Sequence, residues 1–275
     1  WYTEGMAELL AVHRWQDGRL ILNYQLADRR EAEYWGRIKV IRDDCRDGNT
    51  LSLDDVFKFE PSAFREVRFY AWSWAACEFL SRHPLSVAEF DRWPRKTKLP
   101  PERFNQQVER SIRPNRTALD RDWKLFVEEI EFGYDVDRGR LRAAEPDPDA
   151  EGQFIVQSGI SWQITPIEVR AGDRFEFLPS GRFVVANRNG TPWPCEAGGV
   201  TIEYYRGNPL GCLMVAVLSD EDQTQCLSTP VAIGTGGHVQ FDKSGTICLR
   251  INESPSRLSD NEGQLVVTIQ PATDR

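Results

Sequence analysis

A chain of 275 residues can form two ordinary domains with real cores, since domains most often run to about 100–150 residues. Its 40% hydrophobic and 28% charged content is that of a folded globular protein, and a net charge of −8 argues against a nucleic-acid partner, whose phosphates require concentrated Lys and Arg. The longest apolar runs, such as 213–218, fall far short of the roughly 20 residues that span a bilayer.

In chain order, residues 4–15 predict a helix closed by the breaker Asp17-Gly18, and a second helix over 30–42 ends near Asp47-Gly48. Over 64–82, Phe69, Ser73, Ala76, Phe79 and Leu80 fall on one face at helical spacing. Leu119, Trp123, Phe126, Val127 and Ile130 form a further stripe over 119–130. The segment 145–152 is acidic, holds two prolines and lacks apolar periodicity, which reads as a linker.

Beyond it the period becomes two. Ile167 and Val169 alternate, as do Ile247, Leu249 and Ile251, and then Leu265, Val267 and Ile269, with turn signals at 171–173, 188–190 and 206–209. The expected fold class is therefore multidomain α + β: a mostly helical half over 1–144, a linker over 145–152 and an antiparallel β-sandwich over 153–275. Cys195, Cys212, Cys226 and Cys248 allow three complete pairings or a set of buried thiols, and no C-x-x-C motif occurs.

Glu4 and Glu8 lie one helical turn apart and share a face. With their surroundings they form the pattern W-x-x-E-G-x-A-E at 1–8, which resembles the third-ligand helix of gluzincin metallopeptidases of the peptidase-MA-like branch. Arg37-Ile38, the stretch 51–56, the tryptophan-containing run 70–80 and the run 119–127 are similar to later segments of that family, in its order. The resemblance implies that Glu4 is a zinc ligand, that the small residues after it let the helix pack beside a histidine helix, and that Tyr70 steadies an oxyanion. Without the resemblance, Tyr70 reads as a core tyrosine.

Catalytic zinc takes three protein ligands and an open water position, with a carboxylate as base. The histidines are His13, His83 and His238, and no H-E-x-x-H motif is present. His13, nine residues past Glu4 on the expected helix, would point to the opposite side. His83 beside Pro84 reads as a capping or surface residue. The motif is expected upstream of Trp1, in a longer protein; the other expectation is a scaffold that has lost it.

The run N-E-S-P-S-R-L-S-D-N-E-G at 252–263 precedes an alternating strand over 264–270. It resembles the calcium loop of PA-I-type galactophilic lectins, and the stretches 171–178, 180–183 and 211–217 are similar to further strands of that family. Calcium takes six to eight oxygens. The resemblance implies side-chain oxygens from Glu253, Asp260 and Asn261 and backbone carbonyls from Arg257 and Val185, with Glu253 standing where the family usually has Asp. Read alone, 260–263 is a polar turn. The sugar pocket's His and Gln have no counterpart around 192–198, where Trp193 either stacks on a pyranose or fills the core.

Together these resemblances imply the C-terminal portion of a secreted or periplasmic zinc peptidase acting on a peptide or protein, inactive as this chain, with an accessory lectin-like module. The alternative is a non-catalytic, calcium-dependent carbohydrate-binding protein on a dead peptidase scaffold.

Overall fold

The computed structural model describes residues 1–32, 36–147, 150–219 and 226–272. The chain divides between Asp137 and Arg138 into two compact units, the first helical and the second built of antiparallel sheets.

The first unit runs α1 (Tyr2–Ala11), a hairpin of β1 (His13–Gln16) and β2 (Arg19–Leu22), α2 (Arg37–Arg46), α3 (Leu53–Phe57), α4 (Val67–Arg82), α5 (Val87–Phe90), α6 (Pro101–Ile112) and α7 (Arg116–Glu129). The short α8 (Val136–Gly139) spans the division. At the centre is α4, in which every residue over 71–80 is buried, the mark of a helix covered on all sides. Its Trp72 indole donates to Asp44 Oδ2 at 2.6 Å, and Trp123 of α7 donates to the Leu51 carbonyl at 2.8 Å, so each buried ring keeps a polar partner.

The second unit has two sheets. One follows the order β10 (Gly198–Tyr205), β11 (Asn208–Leu218), β14 (Gly245–Ile251), β6 (Gln163–Val169), β3 (Arg142–Ala143), with β12 (Val231–Ala232) also on β11. The other follows β13 (Gly237–Gln240), β7 (Arg174–Ser180), β15 (Glu262–Pro271), β5 (Gln153–Gln157), β4 (Glu145–Pro146), with β8 (Phe183–Arg188) on β15 and β9 (Thr191–Cys195) on β8. Among the described residues the strands of this unit pair antiparallel, except β3 with β6, which is parallel. Val215, Leu249 and Ile251 from one sheet and Phe177, Leu265 and Val267 from the other share a single core, which makes the unit a β-sandwich.

Several expectations change. The first helix stops at Ala11, and His13 lies on β1 rather than on the helix. Asp17 and Gly18 both have positive φ, 50° and 74°, the geometry of a two-residue hairpin turn that D-G favours. The helix expected over 30–42 is α2, starting at Arg37; part of that expectation, 33–35, lies outside the described residues. The segment read as a linker contributes β4, whose Glu145 and Pro146 pair with β5; residues 148–149 lie outside the described residues. Of the two readings left open for the cysteines the structure takes the thiols: all six are free, and Cys195, Cys212, Cys226 and Cys248 are buried. Burial pushes Cys195 up to about 11, which keeps it protonated and unreactive. No helix among the described residues is long and apolar enough to cross a membrane.

Candidate functional site

The loop after β14 opens with Asn252, and this residue fixes its path. The Asn252 amide nitrogen reaches the carbonyls of Tyr205, Asn208 and Pro209, each at 3.0 Å. Its backbone exchanges hydrogen bonds with the next strand: Asn252 N donates to Cys212 O at 2.8 Å, and Gly211 N donates to Asn252 O at 2.9 Å. The loop is thereby tied to the β10–β11 hairpin. Arg250, buried between the rings of Trp162 and Tyr205 at 5.1 and 5.8 Å, holds the backbone carbonyl of Glu253. Leu258, 1% exposed, anchors the short 3₁₀ turn Leu258–Asp260. Gly263 then enters β15 at φ 88°, beside Phe183 of β8.

This framework holds the Glu253 side chain inside the protein, 1% exposed, yet neither of its carboxylate oxygens has a hydrogen-bond donor. Asn261 is also buried. Its amide nitrogen donates to Ser158 O at 2.9 Å, which fixes the orientation of the group, and its Oδ1 is left without a partner. Burial pushes the Glu253 carboxyl up to about 8; the Asn261 amide, close by but outside hydrogen-bond geometry, pulls it down, and the charge of Asp260 raises it further. Asp260 accepts from Asn187 N at 2.8 Å through one oxygen. Val185 is buried where the β8–β9 register shifts between Val184 and Ala186, a bulge of the kind that re-aims the backbone beside sites. Arg257 N closes a turn on Ser254 O at 2.9 Å.

Unsatisfied buried oxygens are costly, and three of them on two neighbouring groups are the donor set a hard cation completes. The residues present fit calcium through Glu253 and Asn261 side chains, with Asp260 beside them. Among the described residues no three His, Cys, Asp or Glu side chains gather into a metal-binding group, so this set depends on amide and carbonyl oxygen as well as carboxylate.

The rim is charged. Glu203 of β10 accepts from Arg188 Nη2 at 3.1 Å and from Arg257 Nη1, and the Arg188 guanidinium lies 5.5 Å from the centre of the half-buried Trp193 ring. Trp193 therefore packs against the core on one side and carries Arg188 on the other, an arrangement the sequence does not reveal.

In the helical unit, Glu4 of α1 is half-buried and lines a groove of about 280 Å³ whose walls include Trp1, Phe59, Phe64, Leu99 and Phe104. Gly5 faces α4: a Cβ there would come within 2.3 Å of Ser73 O and 2.7 Å of Cys77 Sγ. The small residue serves this helix pair. Glu8 accepts from Arg37 Nε at 2.9 Å and from Nη2 at 2.8 Å. The Tyr70 hydroxyl donates to Phe64 O at 3.1 Å and does not line the groove that holds Glu4.

The histidines do not complete a zinc set. His83, expected as a capping or surface residue, is the C-cap of α4 but is fully buried, with Nε2 3.0 Å from Asp122 Oδ2 and Nδ1 accepting from Leu85 N at 3.2 Å. His13 rests on the Ala11 carbonyl at 3.0 Å, and His238 lies on β13, 3.9 Å from Glu176. Among the described residues, Glu4 is the one expected zinc ligand, and zinc does not fit what this chain supplies there.

No family model matches the chain, and no curated protein matches it. Among solved structures, the N-terminal domain of EclA, described as a PllA-like lectin, is similar over 45% of this chain and 100% of its own, with 17% identity and a TM-score of 0.34. PliG of Aeromonas hydrophila, a periplasmic inhibitor of g-type lysozyme, is similar over 47% of this chain and 97% of its own, with 12% identity and a TM-score of 0.25. At these scores neither likeness assigns the chain a family or a ligand.

Proposed function

We propose that the sandwich binds one calcium ion at Glu253, Asp260 and Asn261, with the Arg257 and Val185 carbonyls completing the shell, and that it acts as an accessory carbohydrate-binding module. The observation that carries this reading is the trio of buried oxygens, Glu253 Oε1 and Oε2 and Asn261 Oδ1, that no donor satisfies. Bound calcium would neutralise the buried carboxylate and offer open positions to sugar hydroxyls, which prefer the same hard oxygen coordination. Extracellular calcium modules work at about 10⁻⁴–10⁻³ M, so secreted or periplasmic placement belongs to the same reading. Isothermal titration of the whole chain with calcium should give one site per molecule. Glu253→Gln should lose it, and Asp260→Ala should weaken it at least tenfold. Wild-type protein that takes up no calcium at millimolar concentration would defeat the proposal.

A second reading, in which the helical unit descends from a gluzincin zinc peptidase, draws support from Glu4 lining its groove. On that reading this chain alone hydrolyses no peptide, because one carboxylate cannot hold catalytic zinc. Chelator-sensitive proteolysis by the purified chain would contradict it.

A further inference from the structure

The Glu203 network on the sandwich rim lies outside the proposed calcium shell. Arg188 directly follows Asn187, whose N–H holds Asp260, and Arg257 lies in the loop between Glu253 and Asp260; the charges of both guanidinium groups act on the Glu253 carboxyl, which puts them near the buried oxygens. The rim groups are accessible, with side-chain exposures of 35% for Arg188, 49% for Arg257 and 31% for Glu203. One carboxylate thus serves two cations. With a divalent ion balancing Glu253 and Asp260, two arginines against Glu203 leave a local charge of +1. The planar guanidinium fork suits a carboxylate or sulfate, and an exposed ion-pair network is weak enough to exchange partners. Trp193, under Arg188, keeps that fork oriented.

We propose, on the strength of the calcium reading above, that this site selects anionic saccharides: the metal takes ring hydroxyls while Arg188 and Arg257 receive a carboxylate or sulfate on the same or the adjoining sugar. Glu203 is then an internal competitor that occupies the arginines until the ligand's anion arrives.

The test measures binding of trigalacturonic acid, its carboxyl-reduced neutral counterpart and a monosulfated disaccharide to the whole chain in calcium, with melting curves in calcium and in chelator as the control. At least one anionic probe should bind ten-fold or more tighter than the neutral one, and the two anionic arms tell carboxylate from sulfate. Arg188→Gln should remove the preference while leaving the calcium-dependent rise in melting temperature intact. Glu203→Gln should strengthen binding of the preferred anion several-fold and leave the neutral probe unchanged, an increase that no merely structural role for Glu203 would give. A calcium-dependent rise in melting temperature with equal or absent binding of all three probes overturns the saccharide proposal and spares the calcium reading. Absence of that rise overturns both.

Discussion

Glu253 shows how much of the site rests on a single buried side chain. In the folded, metal-free protein its carboxyl keeps its proton to about pH 8, against an ordinary value of 4.5. Between those values the folded state binds a proton that the unfolded chain has lost, so this group's contribution to stability falls as pH rises from about 4.5 to 8 and levels off above. Calcium must displace that proton, and its affinity should rise over the same range. Melting curves in chelator from pH 5 to 9 check the first statement. Glu253→Gln should flatten that part of the profile and exceed wild type in stability at pH 9. Had the residue been on the surface, as a polar turn would place it, both profiles would coincide. The motif at 252–263 singled out the residue from its place in the sequence; its burial follows from Asn252 and Arg250, whose partners Tyr205, Asn208, Pro209 and Trp162 lie elsewhere in the chain, and from the buried Leu258. The capping place of His83 at the end of α4 was legible, whereas its burial and its pairing with Asp122, 39 residues away, were not, for the same reason.

Among the elements, those with a continuous stripe were legible: α4, α7, β14 and β15 all carry the apolar spacing that their packing uses. Elements whose side chains face solvent were not. Every residue of β1 and β2 is exposed, so no apolar alternation marked them, and only Asp17-Gly18 carried the hairpin signal. The acidic segment at 145–152 misled in a related way, because a proline is tolerated where Glu145 and Pro146 form a short edge strand. The junction of α1 with α4 is tight enough to test: Gly5→Ala would drive a methyl group against Ser73 O and Cys77 Sγ and should cost about 1–3 kcal/mol, read by urea unfolding. Asn252→Ala leaves the Tyr205, Asn208 and Pro209 carbonyls without their shared donor. It should cost roughly 1–3 kcal/mol and loosen the loop over 252–261, detectable as faster amide exchange there.

On the scale of the molecule, a helical unit and a β-sandwich follow one another along one chain, as the change of period from 3.6 to two announces. Their candidate sites differ in completeness. The helical unit offers a groove with Glu4 and no further expected zinc ligand, whereas the sandwich offers three buried oxygens held in place by their own framework. The central claim is that these oxygens are a calcium site, and crystals of the whole chain grown in millimolar calcium test it most directly. The account predicts one anomalous peak at about 2.3–2.6 Å from the Glu253 carboxylate oxygens and Asn261 Oδ1. A well-ordered loop with Glu253 and Asn261 bonded to water or to other side chains, and no peak between them, would contradict it.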